Sequence, residues 1–268
     1  MSGWRLGSEV SAGSSRARST ADVGVLSYGR RVPVKRAHMI SKGYLRAWAN
    51  ERGLVHVWDA ESLKAGVRPV GDATVVSYAY RTELLTHDLE AEYAKIEDRA
   101  TPALRNLADG GSLTREGEAA VIAFLDMHQE RGRYADQAKV RLPVAAGDLT
   151  TAGVRMEEMG LGDRLTLARD VDKDAVRVSA LGVDRWRWRV LPVDSGLVTG
   201  DGAVMLWNKK GDSPVTAVSF PVSPSRLLIL GDGLDGLTIP LNTLLMGRCR
   251  RWLVDHVDGD LARNAVFR

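Results

Sequence analysis

The chain has one cysteine in 268 residues, Cys249. An intramolecular disulfide is thereby excluded, and so is a zinc site assembled from cysteines. No run of eighteen apolar residues occurs, so no segment is long enough to cross a bilayer as a helix. The N-terminal stretch contains arginines but lacks the apolar core of a secretory signal. These absences point to a cytoplasmic protein without membrane contact. The metal-binding spacing His-Glu-x-x-His is missing, as is a phosphate-loop Gly-Lys-Ser/Thr. No internal repeat is found.

What is present is ordinary for a globular protein, with 44 % hydrophobic and 26 % charged residues. The net charge of +3 is unevenly placed. Arg5, Arg16, Arg18, Arg30, Arg31, Lys35 and Arg36 face only Glu9 and Asp22 in the first 36 residues. Of the chain's 37 basic and 34 acidic residues, 30 and 32 are then left for positions 37–268, a net of −2. Residues 1–34 are rich in Gly, Ser, Ala and Arg and read as a disordered basic tail. Contact with nucleic acid is the functional alternative for that tail, and the slightly acidic body gives no sign of such a partner.

Residues 35–268 read as one α+β domain. Leu54 to Trp58 alternates as a short strand, and Val75 to Tyr80 as a second extended piece. Leu85, Leu89, Tyr93, Ile96, Ala100, Leu104 and Leu107 then form one helical stripe, with a kink or break expected at Pro102. Thr114, followed by Glu116 and Glu118, caps a second helix reaching about Val140. The two make a long antiparallel helical hairpin over about 83–141. The stretch 144–182 is weakly patterned, with one helix expected near 150–159. Alternating runs over about 185–231 predict an antiparallel β-meander. In its Arg185–Val190 run, Trp186 and Trp188 share one face and the arginines the other. A final helix, about 240–256, follows Pro240. The order of elements gives no support to a doubly wound sheet.

Several polar residues stand out, each with two readings. His38 is a general base or ligand near neutral pH, or a histidine capping a turn. Glu90 and Glu97, seven apart at the edge of the first helix's stripe, are an acid–base or metal-binding pair, or a solvated border. His128 lies inside the second helix's apolar stripe with Arg131 at its edge. A pair with Glu97 or Glu90 across the hairpin is one outcome, and a satisfied core histidine beside a snorkelling arginine the other. Asp201, between Gly200 and Gly202, suits a site or a tight turn. Cys249 between Arg248 and Arg250 has neighbours that lower a thiol pKa.

The segment His38-Met-Ile-Ser41-Lys-Gly-Tyr44-Leu45-Arg46-Ala-Trp48 resembles the opening His-x-x-Pro-x-x-Tyr-Leu-Arg-x-Phe of a mainly bacterial family, domain of unknown function 4238. Four further points follow in the same order. They are Ile96-Glu97, Phe124 with Arg131, Thr199-x-Asp201 for the family's Thr-Ser-Asp-x-Pro, and Phe220-Pro221-Val222-Ser223-Pro224 with the later Asn242. Ser41, Gly200 and Ala203 depart from the pattern. The resemblance covers about 37–256. It implies a composite polar site with His38, Glu97, Arg131, Asp201 and Asn242 as candidate catalytic residues, and Tyr44, Arg46 and His128 as candidate substrate-binding ones.

Two functional expectations follow from that set. One is a hydrolase, nuclease-like in its version for a phosphate-bearing substrate, with His38 as base or ligand, Glu97 and Asp201 holding a divalent metal or water, and Arg131 facing an anion. The other is a non-catalytic module that binds a small molecule, nucleotide or partner in a bacterial defence or stress system. A third, structural reading makes the same residues a buried network that fixes the fold.

Overall fold

The computed structural model describes residues 36–85, 87–148, 153–171, 176–194, 196–208, 214–234 and 239–259. The expected basic tail lies outside them. In chain order the strands are β1 (Arg36–His38), β2 (Leu54–Asp59), β3 (Lys64–Pro69), β4 (Val75–Ser77), β5 (Leu142–Asp148), β6 (Gly153–Met159), β7 (Trp188–Pro192), β8 (Thr199–Gly200), β9 (Met205–Asn208), β10 (Val215–Ser223), β11 (Arg226–Gly231) and β12 (Trp252–Asp255). The helices are α1 (Lys42–Leu45), α2 (Leu89–Ala108), α3 (Arg115–Arg133), α4 (Leu161–Val171) and α5 (Leu241–Arg248). Every described strand pairing is antiparallel, so the fold is α+β. No helix among the described residues is long and apolar enough to cross a membrane.

Two four-stranded sheets carry the architecture, in the orders β7-β11-β10-β9 and β3-β2-β12-β8. Pairs β1–β4 and β5–β6 stand apart from them. The α2–α3 hairpin forms as its caps dictate. Asp88 accepts the amide of Ala91 at 3.0 Å, and Thr114 that of Gly117 at 3.2 Å. Pro102 does not break α2. It and Asp98 lie on the exposed face, so the carbonyl freed by the missing N–H is on the solvent side. One continuous core joins both helices, α1 and both large sheets. At its centre the rings of Tyr44, Trp48, Phe124, His128 and Phe220 pack with centroids 4.8 to 6.1 Å apart.

Several expectations from the pattern are corrected. The first helix starts at Leu89, not near 83–85, because buried Asp163 on α4 accepts the amides of Glu83, Leu84 and Leu85 at 3.0–3.1 Å and holds that segment in a bend. The second helix ends at Arg133, and a 3-10 turn takes Ala135–Gln137. Residues 153–159 are strand β6 rather than helix, paired with β5 from Leu142↔Met159 to Asp148↔Gly153. The final helix stops at Arg248, and Trp252–Asp255 is instead a strand between β2 and β8. Asp201 enforces that break. Its carboxylate accepts the consecutive amides of Arg250, Arg251 and Trp252 at 2.7, 2.8 and 2.9 Å. The meander is also divided, since β8 leaves it to pair with β12. Its first strand begins at Trp188, after a 3-10 turn at Val183–Arg185, and both tryptophans pack on the core.

Helix α3 meets the β8 turn at very short range. A Cβ added to Gly132 would lie 1.9 Å from the carbonyl oxygen of Asp201. Gly132→Ala ordinarily gains about 1 kcal/mol in a helix interior. Here the contact is with backbone that cannot swing away, and overpacking of this kind costs about 1–3 kcal/mol or more. The expected result is a lower urea midpoint for Gly132→Ala, and a raised midpoint would contradict the close approach.

Candidate functional site

One polar group gathers residues from four places in the chain. His38 ends β1, Tyr80 follows β4, Glu90, Tyr93 and Glu97 lie on α2, and Arg131 lies on α3. The α-helical repeat puts Glu90, Tyr93 and Glu97 on one side of α2, and the antiparallel hairpin turns Arg131 toward it. Arg131 is only 3 % exposed. Its Nη1 donates to Glu97 Oε1 at 2.5 Å, and its Cζ sits 4.2 Å from the ring centre of Tyr93 and 5.0 Å from that of Tyr80. The Tyr80 hydroxyl lies 3.2 Å from the His38 carbonyl oxygen and 3.3 Å from Met39 Sδ. Tyr80, Tyr93 and Arg131 are buried, whereas His38, Glu90 and Glu97 are half-buried. The group therefore has a closed floor and a side reached by solvent.

Four buried polar atoms in this group have no hydrogen-bond partner among the described residues. They are His38 Nδ1, Glu90 Oε2, the Tyr93 hydroxyl and Arg131 Nε. Native proteins satisfy about nine in ten such atoms, and each one left over costs about 1–3 kcal/mol. The local electrostatics separate the titrating groups. Burial lowers the pKa of His38, Glu97 opposes this, and Arg131, Lys42 and Arg36 reinforce it. Burial raises that of Glu90, against Arg131 and with Glu97 and Asp88. Burial disfavours charge on Arg131 as well, but Tyr80, Glu97 and Tyr93 outweigh it and its pKa is raised. Burial thus disfavours charge on both the His38 imidazole and the Glu90 carboxyl, each within reach of the Arg131 cation.

The other predicted site residues lie elsewhere. Asp201 is committed to the three amides of Arg250–Trp252. Asn242 accepts the Val198 amide at 3.1 Å and donates to the Gly196 carbonyl at 2.8 Å, which ties α5 to the approach of β8. The Tyr44 hydroxyl meets Thr199 Oγ1 at 2.6 Å and donates to the Pro221 carbonyl at 2.8 Å. His128 is buried among the core rings, and its Nε2 donates to the Gly200 carbonyl at 2.9 Å. Arg46 is exposed. Cys249 is no activated thiol despite its arginine neighbours. Burial, and then the Asp201 charge, push its pKa up.

Among the described residues no three His, Cys, Asp or Glu side chains converge to hold a metal ion. Sequence reasoning missed Tyr80 and Tyr93 as members of the polar group. Tyr93 was readable only as part of a core stripe, and nothing around Tyr80 marks it. Also unforeseen was Arg169 on α4, which donates to Glu92 and Glu130 at 2.7–3.0 Å and locks α4 onto the hairpin. Gly231-Asp-Gly233-Leu-Asp-Gly236 has the spacing of a dinucleotide fingerprint, but it follows an antiparallel strand, which that use does not allow.

His128 and Asp201 make opposite contributions to the pH dependence of stability. Burial lowers the His128 pKa to about 4, partly offset by the bond to Gly200. Between pH 4 and 6.5 the unfolded chain binds this proton and the folded one does not, so stability is lost as pH falls. Burial pushes the Asp201 carboxyl up to about 6 against its three amide bonds. From its ordinary value near 3.8 up to 6 the folded chain binds the extra proton, so stability is lost as pH rises. Each effect is of the order of 3 kcal/mol, and they nearly cancel. Relative to wild type, Asp201→Asn is expected to lose stability on acidification from pH 6 to 4, and His128→Gln to gain it. Urea unfolding at pH 4, 5, 6 and 7 checks this, and pH profiles parallel to wild type in both variants would refute it.

The polar group draws on the segments that carried the resemblance, His38 at the start, Ile96-Glu97 on α2 and Arg131 on α3. Neither a curated protein nor a solved structure matches the chain. A family model described as "Protein of unknown function (DUF4238)" matches residues 36–238, which include this whole group and stop short of Asn242 and β12. With well over half of its length matched, the chain belongs to the DUF4238 family.

Proposed function

We propose that the chain is a hydrolase whose acid–base centre is the group of His38, Glu90, Glu97 and Arg131, floored by Tyr80 and Tyr93. The observation that carries this reading is the cluster of four unpartnered polar atoms. A structural network would leave few of them unsatisfied, whereas a substrate can supply the partners. His38 Nδ1, free and neutral, takes the proton of an attacking water. Glu90 gives its proton to the leaving group. Arg131, held in place by Glu97, offers Nε to the negative charge that develops in between. The nuclease-like version is the weaker one at this group, because Glu97 already balances the Arg131 charge and the carboxylates do not converge as metal ligands.

The test compares turnover with stability. His38→Asn and Glu90→Gln remove no protein hydrogen bond at the named atoms. Both are expected to melt at or above the wild-type temperature while hydrolysis of p-nitrophenyl esters of carboxylic and phosphoric acids falls about 10²–10⁴-fold. Wild-type protein that hydrolyses neither, yet is stabilised by one of the esters or their products, would make the group a binding module without turnover. A stability loss of several kcal/mol in both variants, with no hydrolysis by wild type, would leave only the structural network.

A further inference from the structure

The β5–β6 ribbon stands largely in solvent. It joins neither four-stranded sheet, and among the described residues of its two strands none is buried. Two strands by themselves are marginally stable in water, and a third strand or a packed face ordinarily supports them. The register sorts the side chains of the ribbon onto two faces. Ala145 opposes Met156, and Gly147 opposes Val154, so one face is apolar, with Pro143 opposite Glu158 at its end. Val154 and Met156 on that face are 75 % and 69 % exposed. The other face carries charge. Arg155 opposes Ala146 and Glu157 opposes Val144, so β5 offers neither charge a partner. Among the described residues the two pair with each other along β6, with Arg155 Nε 2.6 Å from Glu157 Oε1.

The outer edge of β6 is open. Among the described residues its backbone bonds to β5 and to no other strand. An open antiparallel edge can be extended by the same strand of a second copy across a two-fold axis. Such pairing keeps each side chain on its own face, and one residue meets itself at the axis. Centred on Arg155 or on Glu157, the pairing sets like charges directly opposite one another, which destabilises it. Centred on Met156, it sets Arg155 of each copy opposite Glu157 of the other, twice over. Met156 then lies against Met156 on the apolar face, flanked by Val154, with Glu158 at the rim. Centres nearer the ends of the strand leave fewer pairs. The run Val154-Arg-Met-Glu157 therefore complements itself in one register.

We propose that β6 pairs with β6 of a second copy of this chain in the register centred on Met156, which makes a four-stranded sheet β5-β6-β6-β5 and a two-fold dimer. The exposed apolar faces of the two ribbons become continuous. The charges of Arg155 and Glu157 are matched between copies as well as along each strand. The interface is confined to the ribbon, so the association is reversible, with a dissociation constant of about 1–100 µM. It is separate from the proposed acid–base centre and stands whether or not that centre turns over a substrate.

The test is sedimentation of the full chain from about 1 to 300 µM. Wild type is expected to pass from monomer to dimer over this range. Arg155→Glu and Glu157→Arg each turn both attractive pairs into repulsive ones, and each is expected to weaken the dimer about tenfold or more. The double variant Arg155→Glu/Glu157→Arg restores the pairs with their signs exchanged and is expected to recover the dimer. That recovery separates the register from a general effect of charge or a damaged ribbon. A wild type that stays monomeric throughout would overturn the proposal and leave the edge to a different chain. A dimer that neither single variant weakens, or one that the double variant fails to recover, would overturn it equally.

Discussion

The fold depends on aspartates that gather consecutive backbone amides from a distant part of the chain. Asp201 holds the amides of Arg250–Trp252, Asp163 those of Glu83–Leu85, and Asp126 those of Val178 and Ser179 at 2.6–3.4 Å. Each carboxylate satisfies N–H groups that would otherwise seek a helix or a sheet partner. The consequences are largest at Asp201. The chain stops being helical at Cys249, turns, and sends Trp252–Asp255 between β2 and β8. The same turn offers the Gly200 carbonyl to His128 and presses the Asp201 carbonyl onto Gly132. One short loop thereby sets the position of α3, α5 and the inner strand of a sheet.

The polar group around Arg131 rests on this frame without belonging to it. Its side chains come from the α2–α3 hairpin, from β1 and from the segment after β4, and Arg169 clasps the hairpin with its Cζ 5.3 Å from the ring centre of Tyr93. Arg131 is satisfied by Glu97 on one nitrogen and by two tyrosine faces, which accounts for a cation at 3 % exposure. It does not account for the idle atoms beside it.

Much of the frame was legible in the residues themselves. Thr114 read as a cap because capping is local chemistry. The apolar stripe of α2 and the apolar run of β11 report burial directly. His38, Glu97 and Arg131 could be named from the family pattern. The failures share a cause. Leu85, Cys249 and Trp252 sit in stretches whose spacing suits a helix, and each is pulled out of helix by, or beside, an amide bond to an aspartate far away in sequence. Strand β6, Gly-Val-Arg-Met-Glu-Glu-Met, is exposed over most of its length and rich in helix-favouring residues, so neither burial nor propensity marked it. Asp201 was conspicuous as a polar residue between two glycines and Asn242 as one at the start of the last helix, but their partners are backbone groups that no sequence pattern displays.

The placement of β12 has a further consequence, for the route by which the chain reaches this structure. Trp252 and Asp59 pair across roughly 190 residues, a separation that delays contact formation because the loop entropy is lost before the pairing is gained. Until that segment arrives, the β2 edge of the β2–β3 hairpin is bare, and β8 is only two residues long. Such an edge recruits other strands. Assembly of this sheet is therefore a late event with an exposure to aggregation while it is pending, and the chain's yield on refolding should depend more on protein concentration than its stability does.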